Sequence, residues 1–180
     1  MRNKTLNINK IMLENKDIVF IDLDSTLIET VSGKTFPLSI IDCKPIWKVW
    51  KLLKKWAKDA GRNCYIFIVS NQGGIERGLV VEEYFNCKIN YISAALMDYI
   101  KCDNLIVDCT YCTSEDKNNM YRKPNTGMLT QMLYYRGLQY TDKSKMIMIG
   151  DAGGREGDFS SSDLDCAKNF GIDYLDVDDI

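Results

Sequence analysis

The chain contains no histidine among its 180 residues. That excludes every mechanism needing an imidazole base, serine and cysteine triads included, and every zinc site built on histidine. Proline occurs only three times, so there is no proline-rich linker and no collagen-like tract. Long hydrophobic runs are also missing. The longest, 18-IVFI-21 and 65-YIFIV-69, fall far short of the roughly 18–20 residues that a membrane span needs, and the opening MRNKTLNINK lacks a signal-peptide stretch. Neither sign of charge is in excess: 23 Lys and Arg against 25 Asp and Glu leave a formal charge of −2. This argues against wide nonspecific wrapping of nucleic acid but leaves room for a small basic groove. Seven cysteines, an odd number scattered from Cys43 to Cys166, read as reduced thiols of an intracellular protein, nuclear or cytoplasmic. The tight pair Cys109 and Cys112 has metal-knuckle spacing but no second pair or histidine to complete a zinc site.

What is present is a folded composition, 46% hydrophobic and 27% charged, in a length that suits one domain with its own core. Strand-length apolar runs recur at 18–23, 64–70, 104–109, 146–150 and 172–177, continuous and rich in β-branched residues as buried parallel strands are. Segments of helical period lie between them, at 46–60, 81–100, 126–138 and 160–170. Alternation of this kind predicts an α/β fold, a three-layer sandwich around a parallel sheet, with residues 1–180 as a single domain. Residues 1–15 are polar and expected to be loosely held. Residues 24–45 are too long for a βα turn and too short for another βα unit. They are expected to form a small flap, with Thr30 to Phe36 flanking Ser32-Gly33 as a hairpin.

Four predicted strands deliver reactive side chains to one crevice at their carboxyl ends. Asp22 and Asp24 follow the first, Ser70 and Asn71 the second, Arg122 and Lys123 lie beyond the third, and Asp151 follows the fourth. Those types suit phosphoryl transfer: a carboxylate can attack phosphorus, acidic oxygens can hold Mg²⁺, and a lysine with a hydroxyl can neutralise phosphoryl oxygens.

Taken in that order, 22-DLDSTL-27, 69-VSN-71, Lys123 and 150-GD-151 resemble the four motifs of haloacid dehalogenase (HAD) phosphatases. Within that superfamily, 32-SGKTFP-37, 71-NQGGIERG-78, 122-RKPNTGM-128 and 150-GDAGGREGDFSSSDLDCAKNFGI-172 resemble the polynucleotide 3′-phosphatases, the phosphatase part of polynucleotide kinase/phosphatase enzymes. The resemblance implies a HAD-like Rossmannoid fold without a large cap domain, and Mg²⁺-dependent hydrolysis of 3′-phosphates at DNA ends in DNA repair. It further implies that Asp22 is the nucleophile and that Asp24 protonates the leaving oxygen and then activates water. Mg²⁺ would be held by the Asp22 and Asp151 carboxylates and the Asp24 carbonyl, and phosphate by Ser70, Asn71 and Lys123. The sequence departs from the family at Ser25, where glycine is usual. It also has no G-x-x-x-x-G-K-[S/T] loop, so neither ATP use nor a 5′-kinase part is expected, and a stand-alone monomer is.

Other residues carry two readings each. Asp163 and Asp158 could orient Lys123 or sit near the metal, yet 158-DFSSSD-163 also reads as a capped helix start. Arg77 could contact a nucleic-acid backbone or be a solvated loop residue, Arg122 could assist at the phosphate, and Lys34 in the flap could face the substrate. Lys48, Lys51, Lys55 and Lys58 form one stripe on the helix at 46–60, a solvated face in preference to a DNA tract. Tyr134, Tyr135 and Tyr140 are read as packing residues in preference to base-stacking platforms. The rival function is a small-molecule HAD phosphatase of the histidinol-phosphate or heptose-bisphosphate type, which shares the SNQ-x-GI-x-RG pattern but commonly carries a Cys/His zinc loop. A further rival is an inert DNA-end-binding module, disfavoured because Asp22, Asp24, Ser70, Lys123 and Asp151 are all present.

Overall fold

Five apolar runs become one parallel sheet, because those at 18–21, 64–71 and 146–150 are buried on both faces and only a sheet covered by helices on both sides can accommodate that. The computed structural model describes residues 12–34, 37 and 39–180. Its elements are β1 (Ile18–Ile21), β2 (Ile28–Thr30), β3 (Cys43–Pro45), α1 (Trp47–Ala60), β4 (Cys64–Asn71) and α2 (Gly73–Glu76). They continue with α3 (Glu82–Ile100), β5 (Leu105–Cys112), α4 (Gly127–Tyr135), β6 (Met146–Gly150), α5 (Ser162–Phe170) and β7 (Asp173–Asp176). The sheet order is β5-β4-β1-β6-β7, every pairing parallel. The chain leaves β1 toward β4 and β5, then returns to its other side with β6 and β7. Strand order therefore reverses around β1, and a crevice opens at its carboxyl end.

Strand alternation divides the core in two. Val19, Ile21, Ile66, Ile68, Ile147 and Ile149 face α1 and α3, whereas Ile18, Phe20, Phe67, Val69, Met146 and Met148 face α4 and α5. The period-3.6 stripe of α1 buries Val49, Trp50, Leu53, Trp56 and Ala57 and leaves Lys48, Lys51, Lys55 and Lys58 exposed, as the sequence pattern predicts. Gly61 ends α1 in the left-handed conformation, φ 61°, which a glycine adopts without strain.

Three expectations are corrected. The flap's strands are not joined by a two-residue turn at Ser32-Gly33. They are β2 and β3, paired antiparallel from Ile28↔Pro45 to Thr30↔Cys43, so the connection spans 31–42. Asp42 fastens that loop, accepting from the Ser32 backbone N–H at 2.7 Å and hydroxyl at 2.8 Å, which makes a wide turn competitive with a tight one. Thr35 and Phe36, the far half of the expected hairpin, lie outside the described residues. The strand expected at 104–109 runs on to Cys112, because β4 pairs with it as far as Asn71↔Cys112. Finally, Tyr134, Tyr135 and Tyr140 do not pack: they are 69%, 67% and 92% exposed, since α4 buries Met128, Leu129, Met132 and Leu133 instead. Most of the polar N-terminal segment, residues 1–11, is outside the described residues, and Leu13 beyond it is buried in the core. Among the described residues no helix is long and apolar enough to cross a membrane.

Candidate active site

β1 ends in a charged turn of unusual tightness. Leu23 O accepts from both Leu27 N and Ile28 N, and Ser25 N donates to Ile28 O, so residues 23–28 close on themselves. Ser25 pays the backbone cost at φ 61°, the left-handed region where glycine is easiest, and tolerates it because its side chain is exposed. The turn sends the two carboxylates of D-x-D to different partners: Asp22 meets groups from the α4 and α5 side, while Asp24 meets α3 and the loop after β4.

Lys123, 3% exposed, places its Nζ 2.5 Å from Asp22 Oδ1 and 2.7 Å from Asp163 Oδ1. Its backbone is clamped by Asn71, whose Nδ2 donates to Lys123 O at 2.9 Å and whose Oδ1 accepts from Lys123 N at 2.9 Å. Asn71 thus holds the lysine by its main chain. Asp163 reaches the cluster from the first turn of α5, and Gly150 makes room for it. A Cβ on Gly150 would lie 2.1 Å from Asp163 Oδ2. Asp151 sits at the end of β6 and accepts from the buried Thr26 hydroxyl at 3.3 Å.

Among the described residues Asp22, Asp151 and Asp163 form one cluster whose carboxylate oxygens lie within 4.8 Å of one another. Burial, reinforced by Asp163 and Asp151, pushes the Asp22 carboxyl above its ordinary range despite the attraction of Lys123. Burial and then Asp163 push Asp151 up to about 6. Burial lowers Lys123, but Asp163 and Asp22 outweigh it and hold the ammonium above its usual value. Three carboxylates surrounding one ammonium leave two negative charges uncompensated. Asp163 Oδ1, although beside the ammonium, is fully buried without an aligned hydrogen-bond donor. An all-oxygen donor set of three crowded carboxylates facing one ammonium fits a hard divalent cation and not zinc.

On the other side of the turn, Gln72 Nε2 donates to Asp24 Oδ2 and to Ser70 Oγ, each at 2.8 Å. Lys88 Nζ stands 3.4 Å from Asp24 Oδ1. Neither Gln72 nor Lys88 is identified from sequence, nor is Thr26. Lys88 had a signal: it interrupts the apolar stripe Phe85-Ile89-Ile92 of α3.

The remaining candidates are elsewhere occupied. Asp158 Oδ2 accepts from Gly153 N at 3.1 Å and Arg155 N at 2.8 Å, shaping the loop after Asp151 and not touching Lys123. Arg77 pairs with Glu115 at 3.1 Å, half-exposed, and Arg122 Nη1 donates to Ser114 O at 2.7 Å. Lys34 lies exposed in the flap loop. Cys109 and Cys112, three apart on β5, project to opposite faces of the sheet, one into each half of the core, so they cannot ligate one zinc ion together. A cavity of about 730 Å³ runs along α4 between Tyr121, Asn125, Tyr134 and Asn169, and none of the charged cluster lines it.

Comparison with known proteins agrees with this geometry. The family described as "Polynucleotide kinase 3 phosphatase" matches residues 17–179. The bifunctional polynucleotide phosphatase/kinase of Schizosaccharomyces pombe is 33% identical over 163 residues, which are 89% of this chain and 36% of that protein. The chain thus spans about a third of that relative's length. Among solved structures, the D,D-heptose 1,7-bisphosphate phosphatase of B. bronchiseptica, complexed with magnesium and phosphate, superposes with a TM-score of 0.65. It shares 16% identity over 88% of this chain and 78% of its own, a likeness of fold. Motif order, the parallel sheet and the match along nearly the whole chain converge, and the chain belongs to the polynucleotide kinase 3 phosphatase family.

Proposed function

We propose that the protein hydrolyses 3′-phosphate monoesters at DNA ends through an aspartyl-phosphate intermediate, with Mg²⁺ as cofactor. The observation that carries this reading is the Lys123 ammonium shared by Asp22 and Asp163 at the carboxyl end of β1, in a chain of this family. Asp22 Oδ attacks phosphorus, and the P–O bond to the sugar 3′-oxygen breaks. That oxygen keeps the electron pair and takes the proton of Asp24. In the second step the Asp24 carboxylate removes a proton from water, whose oxygen attacks phosphorus and displaces Asp22, releasing inorganic phosphate. Lys123 and the Ser70 hydroxyl bind the phosphoryl oxygens as charge builds on them. Asn71 fixes Lys123, and Asp163 keeps it charged. The Asp22 and Asp151 carboxylates and the Asp24 carbonyl would hold Mg²⁺, which when bound would supply positive charge that keeps Asp22 ionised and neutralises phosphate. Exposed Lys34, and Arg77 and Arg122 when released from their present partners, would meet the strand's backbone phosphates.

The rival substrate class is a small sugar phosphate, to which the fold likeness is equally open. Phosphate release from a 3′-phosphorylated oligonucleotide and from a heptose bisphosphate, each with Mg²⁺ and with chelator, separates the two. Faster Mg²⁺-dependent release from the oligonucleotide is expected. Preference for the sugar bisphosphate would overturn the DNA reading.

A further inference from the structure

Lys88 is a buried cation, in contact with the site, that the reaction above leaves without a task. It sits on α3 at 4% exposure between Phe85, Ile89 and Ile92, each 3% exposed or less. An ammonium offers three donors, yet among the described residues its polar partner is Asp24 Oδ1 at 3.4 Å, with the Phe85 ring centroid 5.0 Å away. Both side chains of the pair are nearly buried, 6% for Lys88 and 9% for Asp24. A pair of this kind is poor evidence of a stability device, because desolvating two charges costs about as much as their attraction returns, and an apolar residue on the stripe would serve the core as well.

Its direction is informative. The second oxygen of Asp24 accepts from Gln72, and the same Gln72 nitrogen donates to Ser70 Oγ. Asp24 is thereby gripped from two elements, by α3 on Oδ1 and by the β4 loop on Oδ2. The grip ties it to the hydroxyl that meets phosphate and holds it apart from the Asp22–Asp151–Asp163 cluster. A carboxyl left free in a turn as short as residues 23–28 could swing toward that cluster, and misplacement by a fraction of an ångström is expensive for a proton-transfer group.

We propose that Lys88 is a positioning residue for Asp24, holding its carboxyl on the leaving-group side of the phosphate. This rests on the general-acid role given to Asp24 above. The action is indirect: Lys88 touches neither phosphorus nor the leaving oxygen, and its whole effect passes through Asp24.

The test compares two phosphate monoesters on the full chain: a 3′-phosphorylated oligonucleotide, whose alkoxide leaving group needs a proton, and an aryl phosphate such as p-nitrophenyl phosphate, whose leaving group does not. Lys88→Met should lower kcat/KM on the oligonucleotide roughly tenfold or more and leave kcat/KM on the aryl phosphate within about threefold, since kcat/KM reports the steps up to phosphoryl transfer onto Asp22 and not the water attack common to both substrates. In an Asp24→Asn background the same change should cost nothing further. Lys88→Arg, which keeps the charge, should recover part of the loss, and it provides the same readouts if Lys88→Met melts out of range. Equal losses on both substrates, full activity of Lys88→Met, or a multiplicative loss in the Asp24→Asn background would overturn the proposal. If Asp24→Asn itself fails to separate the two substrates, the general-acid role falls, and the role of Lys88 falls with it.

Discussion

At the scale of single residues, the site is a set of charges that would not coexist without one another. Asp22→Asn removes the proposed nucleophile and one of three crowded carboxylates while keeping volume. Phosphate release should fall at least about 10³-fold, and the melting temperature in chelator should stay level or rise, because Lys123 keeps Asp163. Turnover within tenfold of the parent would contradict the covalent step. Gly150→Ala makes the opposite kind of change, forcing a Cβ into Asp163. It should destabilise by about 1–3 kcal/mol, as overpacking does, and should lower turnover as Asp163 is driven from Lys123; thermal melting with activity measures both. Thiol chemistry follows burial: Cys64 and Cys166 are pushed up to about 11 by burial, while Cys87 is exposed on α3. Under native conditions iodoacetamide should label Cys87 first and leave Cys64 and Cys166 unmodified, read by peptide mass spectrometry.

At the scale of elements, the long secondary structures were legible and the flap was not. β1, β4 and β6 are buried on both faces, so their sequences are unbroken apolar runs that nothing but a covered parallel strand explains. α1 was legible from its stripe and from Gly61 at its end. The flap depends instead on Asp42 reaching back ten residues to Ser32, a contact that no local pattern announces. The same holds in the site. Asp22, Asp24, Ser70, Asn71, Lys123 and Asp151 could be read because each follows a strand whose end the topology brings to one crevice. Gln72, Lys88 and Thr26 acquire their positions only through partners 48, 64 and 125 residues away. The flap is also joined to the core, since Trp50 Nε1 donates to Leu27 O at 2.9 Å. Trp50→Phe should therefore loosen the turn that carries Asp24, costing about 1–3 kcal/mol for the lost hydrogen bond and volume. Urea unfolding would read the loss, and an unchanged midpoint would show that α1 does not brace the turn.

At the scale of the whole molecule, stability and metal binding are linked through protons. Burial pushes Asp151 up from the ordinary carboxylate value of 3.8 to about 6, and raises Asp22 as well. A carboxylate raised on folding destabilises the folded state once it ionises. Its contribution is therefore recovered as pH falls through the folded value and is complete below the unfolded one. Asp42, Asp142 and Asp165, lowered by hydrogen bonds from Ser32, Ser144 and Ser161, remain ionised over that window and do not oppose the trend. In chelator the protein should melt at least about 3 °C higher at pH 5.5 than at pH 7.5, the shift that about 1 kcal/mol produces in a chain this size. With saturating Mg²⁺ the difference should shrink or reverse, because protons and the cation compete for the same oxygens. Melting that rises with pH in chelator would mean that the cluster is not under charge strain.

Substrate choice belongs to the same scale, and it is where the account is most exposed. With a formal charge of −2 and few exposed cations near the crevice, only a few backbone phosphates can be neutralised. The log–log dependence of binding on salt should have a slope of magnitude about 1–3. The most direct measurement is Mg²⁺-dependent phosphate release from two oligonucleotides of one sequence, phosphorylated at the 3′ or the 5′ end, with a 3′-mononucleotide alongside. Rapid release from the 3′-phosphorylated strand, little from the 5′-phosphorylated one and slower release from the mononucleotide are predicted. Equal rates on both ends, or a mononucleotide as good as the strand, would contradict it.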